Sequence, residues 1–145
     1  QGIQGETGPQ GPVGPQGPVD TFGSEFVQVE DLAESTTIST TPVLKLELTT
    51  GSLPSGTYRI GWSYAWAKSA NSTDFIAEVT QNNGSQLMFH AQEPKDPGND
   101  QSHLGAGFAY VSAAGIQTFQ LNFWSETGGS TAFISNARLE FWRVS

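Results

Sequence analysis

Cysteine is absent from the 145 residues, so disulfides, thiol nucleophiles and Cys-type zinc sites are excluded. Charge is scarce: 14% of residues are charged, against about 25% in an average soluble domain. The six basic residues (Lys45, Arg59, Lys68, Lys95, Arg138 and Arg143) are scattered, and the net charge is −8. Phosphate recognition needs clustered Lys and Arg, so no nucleic-acid partner is expected, and anionic membrane surfaces are disfavoured. No apolar run approaches the ~20 residues of a membrane-crossing helix, so no membrane insertion is expected. No segment reads as a helix of useful length. The chain opens on Gln1 rather than Met. That points to a fragment or a processed product, with further sequence upstream.

Glycine and proline, by contrast, are abundant at one end. Gly2, Gly5, Gly8, Gly11, Gly14 and Gly17 keep an unbroken period of three, and Pro9, Pro12, Pro15 and Pro18 each follow a Gly. Only Gly fits at the axis where three polyproline-II strands meet, and Pro pre-sets φ for that conformation. A flexible linker would need no strict period. Residues 1–19 therefore read as a collagen-like Gly-X-Y stalk, and three copies of the chain share it. The next register position holds Asp20, where the repeat stops. The stalk spans about 55 Å at the polyproline rise. Its Y positions (Gln4, Thr7, Gln10, Val13, Gln16 and Val19) carry no Pro to hydroxylate, which fits a bacterial or viral product. Six triplets are few for a collagen helix to stand alone, so the rest of the chain is expected to bring the copies together.

Residues 20–145 have a different texture. Leu44, Leu46 and Leu48 alternate with Lys45 and Glu47. Tyr58, Ile60, Trp62, Tyr64 and Trp66 form a period-2 stripe opposite Arg59, Gly61, Ser63, Ala65 and Ala67, the strongest strand signal in the chain. The small residues suggest close approach of another sheet or subunit. Phe75, Ala77 and Val79 are followed by Asn82-Asn83-Gly84, a hairpin signal, then by Leu87, Phe89 and Ala91. Further runs follow at Leu104–Val111, at Phe119, Leu121 and Phe123, and at Leu139–Val144. About eight to nine short strands predict an all-β head: a β-sandwich, with a jelly roll favoured and an immunoglobulin-like or meander sandwich as the alternative. The closing strand has Phe141, Trp142 and Val144 on both faces. It is either a central strand or one that packs on the sandwich and on a neighbouring copy.

A Gly-X-Y stalk followed by a compact β head resembles the trimeric collagen-like fibre and spike proteins of phages and bacteria. Their heads are jelly rolls of the tumour-necrosis-factor or complement type. Leu53-Pro54-Ser55-Gly56-Thr57-Tyr58-Arg59-Ile60-Gly61-Trp62 and Ala137-Arg138-Leu139-Glu140-Phe141-Trp142-Arg143-Val144 are similar to strand-and-turn phrases in phage structural heads. The resemblance implies a homotrimer on a virion surface, anchored through the stalk, with the head contacting a host surface, a glycan among the candidates. A bacterial cell-surface adhesin or spore-coat filament is the alternative, and an enzyme tip that trims polysaccharide is a third.

Several residues are candidates for contact. Glu93-Pro94-Lys95-Asp96-Pro97-Gly98-Asn99-Asp100-Gln101-Ser102-His103 reads as the longest polar loop. Its Glu93, Asp96, Asn99, Asp100 and His103 form a candidate receptor loop, since loops on rigid scaffolds carry recognition. The oxygens of Glu93, Asp96, Asn99 and Asp100 could ligate calcium, but the spacing matches no EF-hand, so no cofactor and no metal site is expected. His90 is expected to face solvent or an interface. Trp66 and Trp124 sit near strand ends and are the expected exposed pair for stacking on sugar rings. Most aromatics in period-2 strands are core. No Gly-x-Ser-x-Gly elbow and no nominated carboxylate pair appear, so catalysis is not expected.

Overall fold

A computed structural model describes residues 26–145, with the side chains of 98–101 excepted. The Gly-X-Y segment, and with it Gly2, Gly5, Gly8, Gly11, Gly14 and Gly17, lies outside the described residues.

Nine strands are present among these residues: β1 (Val27–Asp31), β2 (Ser35–Thr37), β3 (Val43–Thr49), β4 (Leu53–Lys68), β5 (Phe75–Gln81), β6 (Ser85–Gln92), β7 (Gly98–Gly115), β8 (Thr118–Ser125) and β9 (Ala132–Arg143). They form two sheets. The first runs β1-β9-β4-β7, with β2 also on β9, and the second runs β3-β8-β5-β6. Every pairing is antiparallel. The links β2–β3, β3–β4, β4–β5, β6–β7, β7–β8 and β8–β9 each join one sheet to the other, while β5–β6 is a hairpin. The described residues form an all-β sandwich.

Period-2 apolar residues explain why these segments become strands and which side they bury. Tyr58, Ile60, Tyr64 and Trp66 of β4 meet Phe75, Ala77 and Val79 of β5 and Phe119, Leu121 and Phe123 of β8 in one core. Tyr58 stacks on Phe141 with centroids 4.9 Å apart, and Trp66 stacks on Phe75 at the same distance. The β9 strand is central, paired to β1 and β4, so Phe141 faces the core while Trp142 faces outward. In the β5–β6 hairpin, Asn82 and Asn83 take φ of 51° and 59°, which Asn tolerates better than most side chains.

The β3 stripe departs from its simple alternation. A bulge between Leu44 and Leu46 turns Lys45 inward and leaves Leu44 51% exposed. The Lys45 ammonium donates to Asp31 Oδ2 at 2.6 Å, to the Ala33 carbonyl at 2.8 Å and to Ser35 Oγ at 2.9 Å. That hydrogen bond, helped by the Ala33 N–H, holds the Asp31 carboxyl below its usual range.

The sandwich has two distinct ends. Val27 pairs with Phe141 and Phe141 with Ile60, so the chain enters the head beside its own C-terminus, where Thr57 N–H donates to the Ser145 carbonyl at 2.8 Å. Lys68 pairs with Ala132 and with Gly98 at the opposite end, which therefore carries the loops 69–74, 93–97 and 126–131.

Candidate functional site

The outer face of the first sheet carries the β4 residues opposite the aromatic stripe, the small ones among them expected to meet another sheet or subunit. Across it, Trp142, Arg59 and Tyr110 align in one row and Glu140, Gly61 and Phe108 in the next. Below them come Arg138, Ser63 and Ala106, and then Ala65 beside Leu104. The small residues of β4 leave an open trough of about 440 Å³ between the Arg138 and Glu140 side chains and Phe108. No third layer covers this face among the described residues. Leu104 is 77% exposed, Tyr110 61% and Phe108 50%. The β7 strand that carries them is 18 residues long and has a neighbour on one side only. A long apolar edge strand invites pairing with another chain unless something covers it.

Polar groups order this face. The Arg59 guanidinium lies 4.2 Å from the Phe108 ring centroid and 4.4 Å from that of Trp142, a double cation–π contact. Arg138 donates to Gln28 Oε1 at 2.5 Å, and its Nε meets Glu140 Oε2 at 3.5 Å as a charge contact. Phe26, the first described residue, packs on Trp142 with centroids 6.3 Å apart. The first described residue thus lies on this same face.

At the far end, Glu93 and Asp96 are exposed in the short loop 93–97. The side chains of Asn99 and Asp100 lie outside the described residues. The expected long loop is shorter because Gly98 to His103 continue β7, drawn out by the 16-residue β4: His103 pairs with Trp66, and Gly98 with Lys68. His103 is therefore a strand residue, its ring stacked on Trp66 at 4.4 Å.

Two expectations are corrected. Trp66 is 2% exposed and lies between Phe75 and His103, so it is core and cannot stack on a sugar ring. Its place near the end of β4 misleads because β7 and β9 extend alongside it. His90 turns inward: its Nδ1 shares a 2.8 Å hydrogen bond with the Tyr64 hydroxyl, and its ring meets the Trp66 edge at 5.4 Å. Burial pushes the Tyr64 hydroxyl pKa up, so it stays protonated. Both histidines thus converge on Trp66. Among the described residues, no three His, Asp or Glu side chains gather to hold a metal ion.

Trp124 is half-exposed on the outer face of the second sheet, where its ring lies 6.2 Å from that of Phe89. Phe89 was not singled out from the sequence, nor were Arg59, Phe108 and Tyr110. The signal was there in β7, where Leu104, Ala106, Phe108 and Tyr110 keep period 2 on one face while His103, Gly105, Gly107 and Ala109 occupy the other.

No family model and no curated protein matches the chain. Among solved structures, it is similar to the insecticidal delta-endotoxin Cry8Ea1 from Bacillus thuringiensis, with 16% identity and a TM-score of 0.45, over 77% of this chain and 20% of that one. It is similar to a chain of infectious bursal disease virus, Gt strain, with 10% identity and a TM-score of 0.49, over 90% of this chain and 37% of that one. The C-terminal CBM6 of LamC from Zobellia galactanivorans gives 16% identity and a TM-score of 0.38, over 79% and 98%. The chain thus spans well under half the length of the first two. These values assign no function, and the fold rests on the sheet order of the chain itself.

Proposed function

We propose that the chain is the head and adjoining stalk of a homotrimeric, collagen-stalked fibre or spike of a bacteriophage virion, acting by assembly and host-surface contact rather than by catalysis. The observation that carries this reading is the coincidence of two features on one face. The Gly-X-Y repeat ends at Val19, and Phe26, the first described residue after it, sits against Trp142, at the margin of the uncovered apolar face of the first sheet. A triple-helical stalk requires three chains to converge at one axis. A stalk leading to Phe26 would bring the uncovered apolar sheets of three copies toward one axis. The exposed Leu104, Phe108 and Tyr110 would be buried, and the trough over Ser63 and Ala106 would receive a neighbour's side chains.

The strand order supports a jelly roll: a five-stranded sheet, β1-β9-β4-β7 with β2 on β9, and a four-stranded sheet, β3-β8-β5-β6, wound by successive crossings between them. The far end, with its loops 69–74, 93–97 and 126–131, lies opposite the end where the described chain begins, and in such a fibre it would face whatever the fibre approaches.

Light scattering on the purified chain tests the reading. The expected mass is three times 15.5 kDa; a monomer would sink it. Electron microscopy of the source particle should show the protein on a virion, and a location on a cell wall would move it to the bacterial surface.

A further inference from the structure

We propose that the outer face of the second sheet is a binding surface for a neutral polysaccharide, a reading that rests on the chain being a surface-attachment protein. With the first sheet turned toward the trimer axis, this face points outward on every copy. Three rows cross it. Trp124, Ile76 and Ala91 form one; Asn122, Glu78 and Phe89 form the next; Gln120, Thr80 and Gln86 form the third. Trp124 and Phe89 are on diagonal positions either side of Ile76, with ring centroids 6.2 Å apart. Phe89 is 55% exposed, which is unusual for a Phe in mid-strand.

Beside this aromatic pair the surface becomes polar. An open depression of about 450 Å³ is lined by Glu78, Gln86, Gln120 and Asn122 among others. Gln86 donates to Glu78 Oε2 at 3.0 Å, Asn122 approaches Glu78 Oε1 at 3.4 Å, and Gln120 donates to Glu47 Oε2 at 2.8 Å. The amides thus fix the carboxylates; Asn122 and Thr80 are buried at the floor, and Gln86, Gln120, Glu47 and Glu78 remain accessible above them. Sugar rings have an apolar C–H face and a rim of hydroxyls that both donate and accept. An aromatic platform continuous with a row of amides and carboxylates matches both. The first and third rows are about 13 Å apart at ~3.3 Å per residue, room for a short run of rings.

Charge narrows the class. None of the described residues on these rows is Lys or Arg, whereas Glu47 and Glu78 are acidic. Phosphorylated, sulfated or uronic polymers would be repelled, so the polymer is neutral. Three such faces on one trimer would add avidity to individually weak sites.

Affinity electrophoresis of the full chain tests this, with gels containing dextran, galactomannan or a soluble β-glucan as neutral probes and alginate as the anionic one. At least one neutral polymer should retard the protein and alginate should not. Trp124→Ala and Phe89→Ala should each weaken that retardation constant about tenfold or more, as loss of a central aromatic anchor does. Their light-scattering mass should be unchanged. No retardation by any neutral polymer overturns the proposal, as does stronger retardation by alginate or retardation indifferent to both variants. Loss of retardation in Asp74→Ala or Glu126→Ala alone would also overturn it, because the site would then lie on the far loops. A trimer that ignores every polymer removes this surface and leaves the stalked trimer standing. A retarded monomer does the reverse.

Discussion

A methyl group on Gly105 would land in the Tyr64 ring, and one on Gly107 would come within 2.9 Å of the Trp62 indole. Both glycines are there because large β4 side chains lie across β7. Gly105→Ala is expected to cost about 1–3 kcal/mol, the range for overpacking. The urea midpoint should fall with the slope unchanged, whereas Gly51→Ala, with nothing near its added carbon, should stay close to the parent. Lys68 makes a different residue-scale prediction. Its ammonium is inaccessible to solvent and donates to Thr73 Oγ1 at 2.9 Å, Ser125 Oγ at 2.8 Å and Ser130 Oγ. Desolvation pulls its pKa below 10.5, with Glu126 and Asp74 opposing. The folded chain therefore releases this proton at a lower pH than the unfolded chain does. Between the two values the unfolded state binds more protons, so stability rises with pH across that window and has no slope from this group below it. Urea titrations up to pH 10.5 should show the parent gaining on Lys68→Met as pH rises. A parent that loses ground instead would mean that the charged amine is held more favourably than its burial implies.

Strands were legible where one face was uniformly apolar. The β4, β5 and β8 stripes state their inward residues because nothing interrupts their period. The β3 strand shows what period alone misses: one bulge exchanges Leu44 and Lys45, and it is the Asp31, Ala33 and Ser35 acceptors, 10 to 14 residues away at the β1–β2 connection, that make an inward lysine tolerable. Trp66 was misread for a related reason. Exposure near a strand end depends on how far the partner strands run, and β7 runs to Gly98. The candidate surfaces were legible only in pieces. Trp124 could be named from the sequence, but Phe89 joins it through sheet register, and the apolar face needs β4, β7 and β9 side by side. That face yields the element-scale prediction. Leu104 is 77% exposed on the β7 edge, so Leu104→Glu costs the isolated head little. In a trimer assembled through this face it buries a carboxylate against apolar surface. The light-scattering mass should drop toward one copy while the far-ultraviolet β signal persists. A variant that keeps three copies would place the interface elsewhere.

Six Gly-X-Y triplets and a large apolar sheet face compete to explain why three chains would stay together. The triplets contribute no hydroxylated Y position, and their pairing requires three chain ends to meet in register before any contact rewards it. The head offers a preformed surface, ordered by Arg59 between Phe108 and Trp142, with Phe26 at its margin. Assembly through the head would deliver three stalks already aligned, and the collagen segment would then act as a spacer that follows the heads. Removing residues 1–19 should therefore leave a trimer, with the mass falling only by the lost peptides. It should also leave retardation by a neutral polymer intact, because the rows of the second sheet are untouched. A truncated head that sediments as a monomer would reverse the order of events: the glycines would hold the chains, and the apolar face of β7 would be covered only after the stalk had closed.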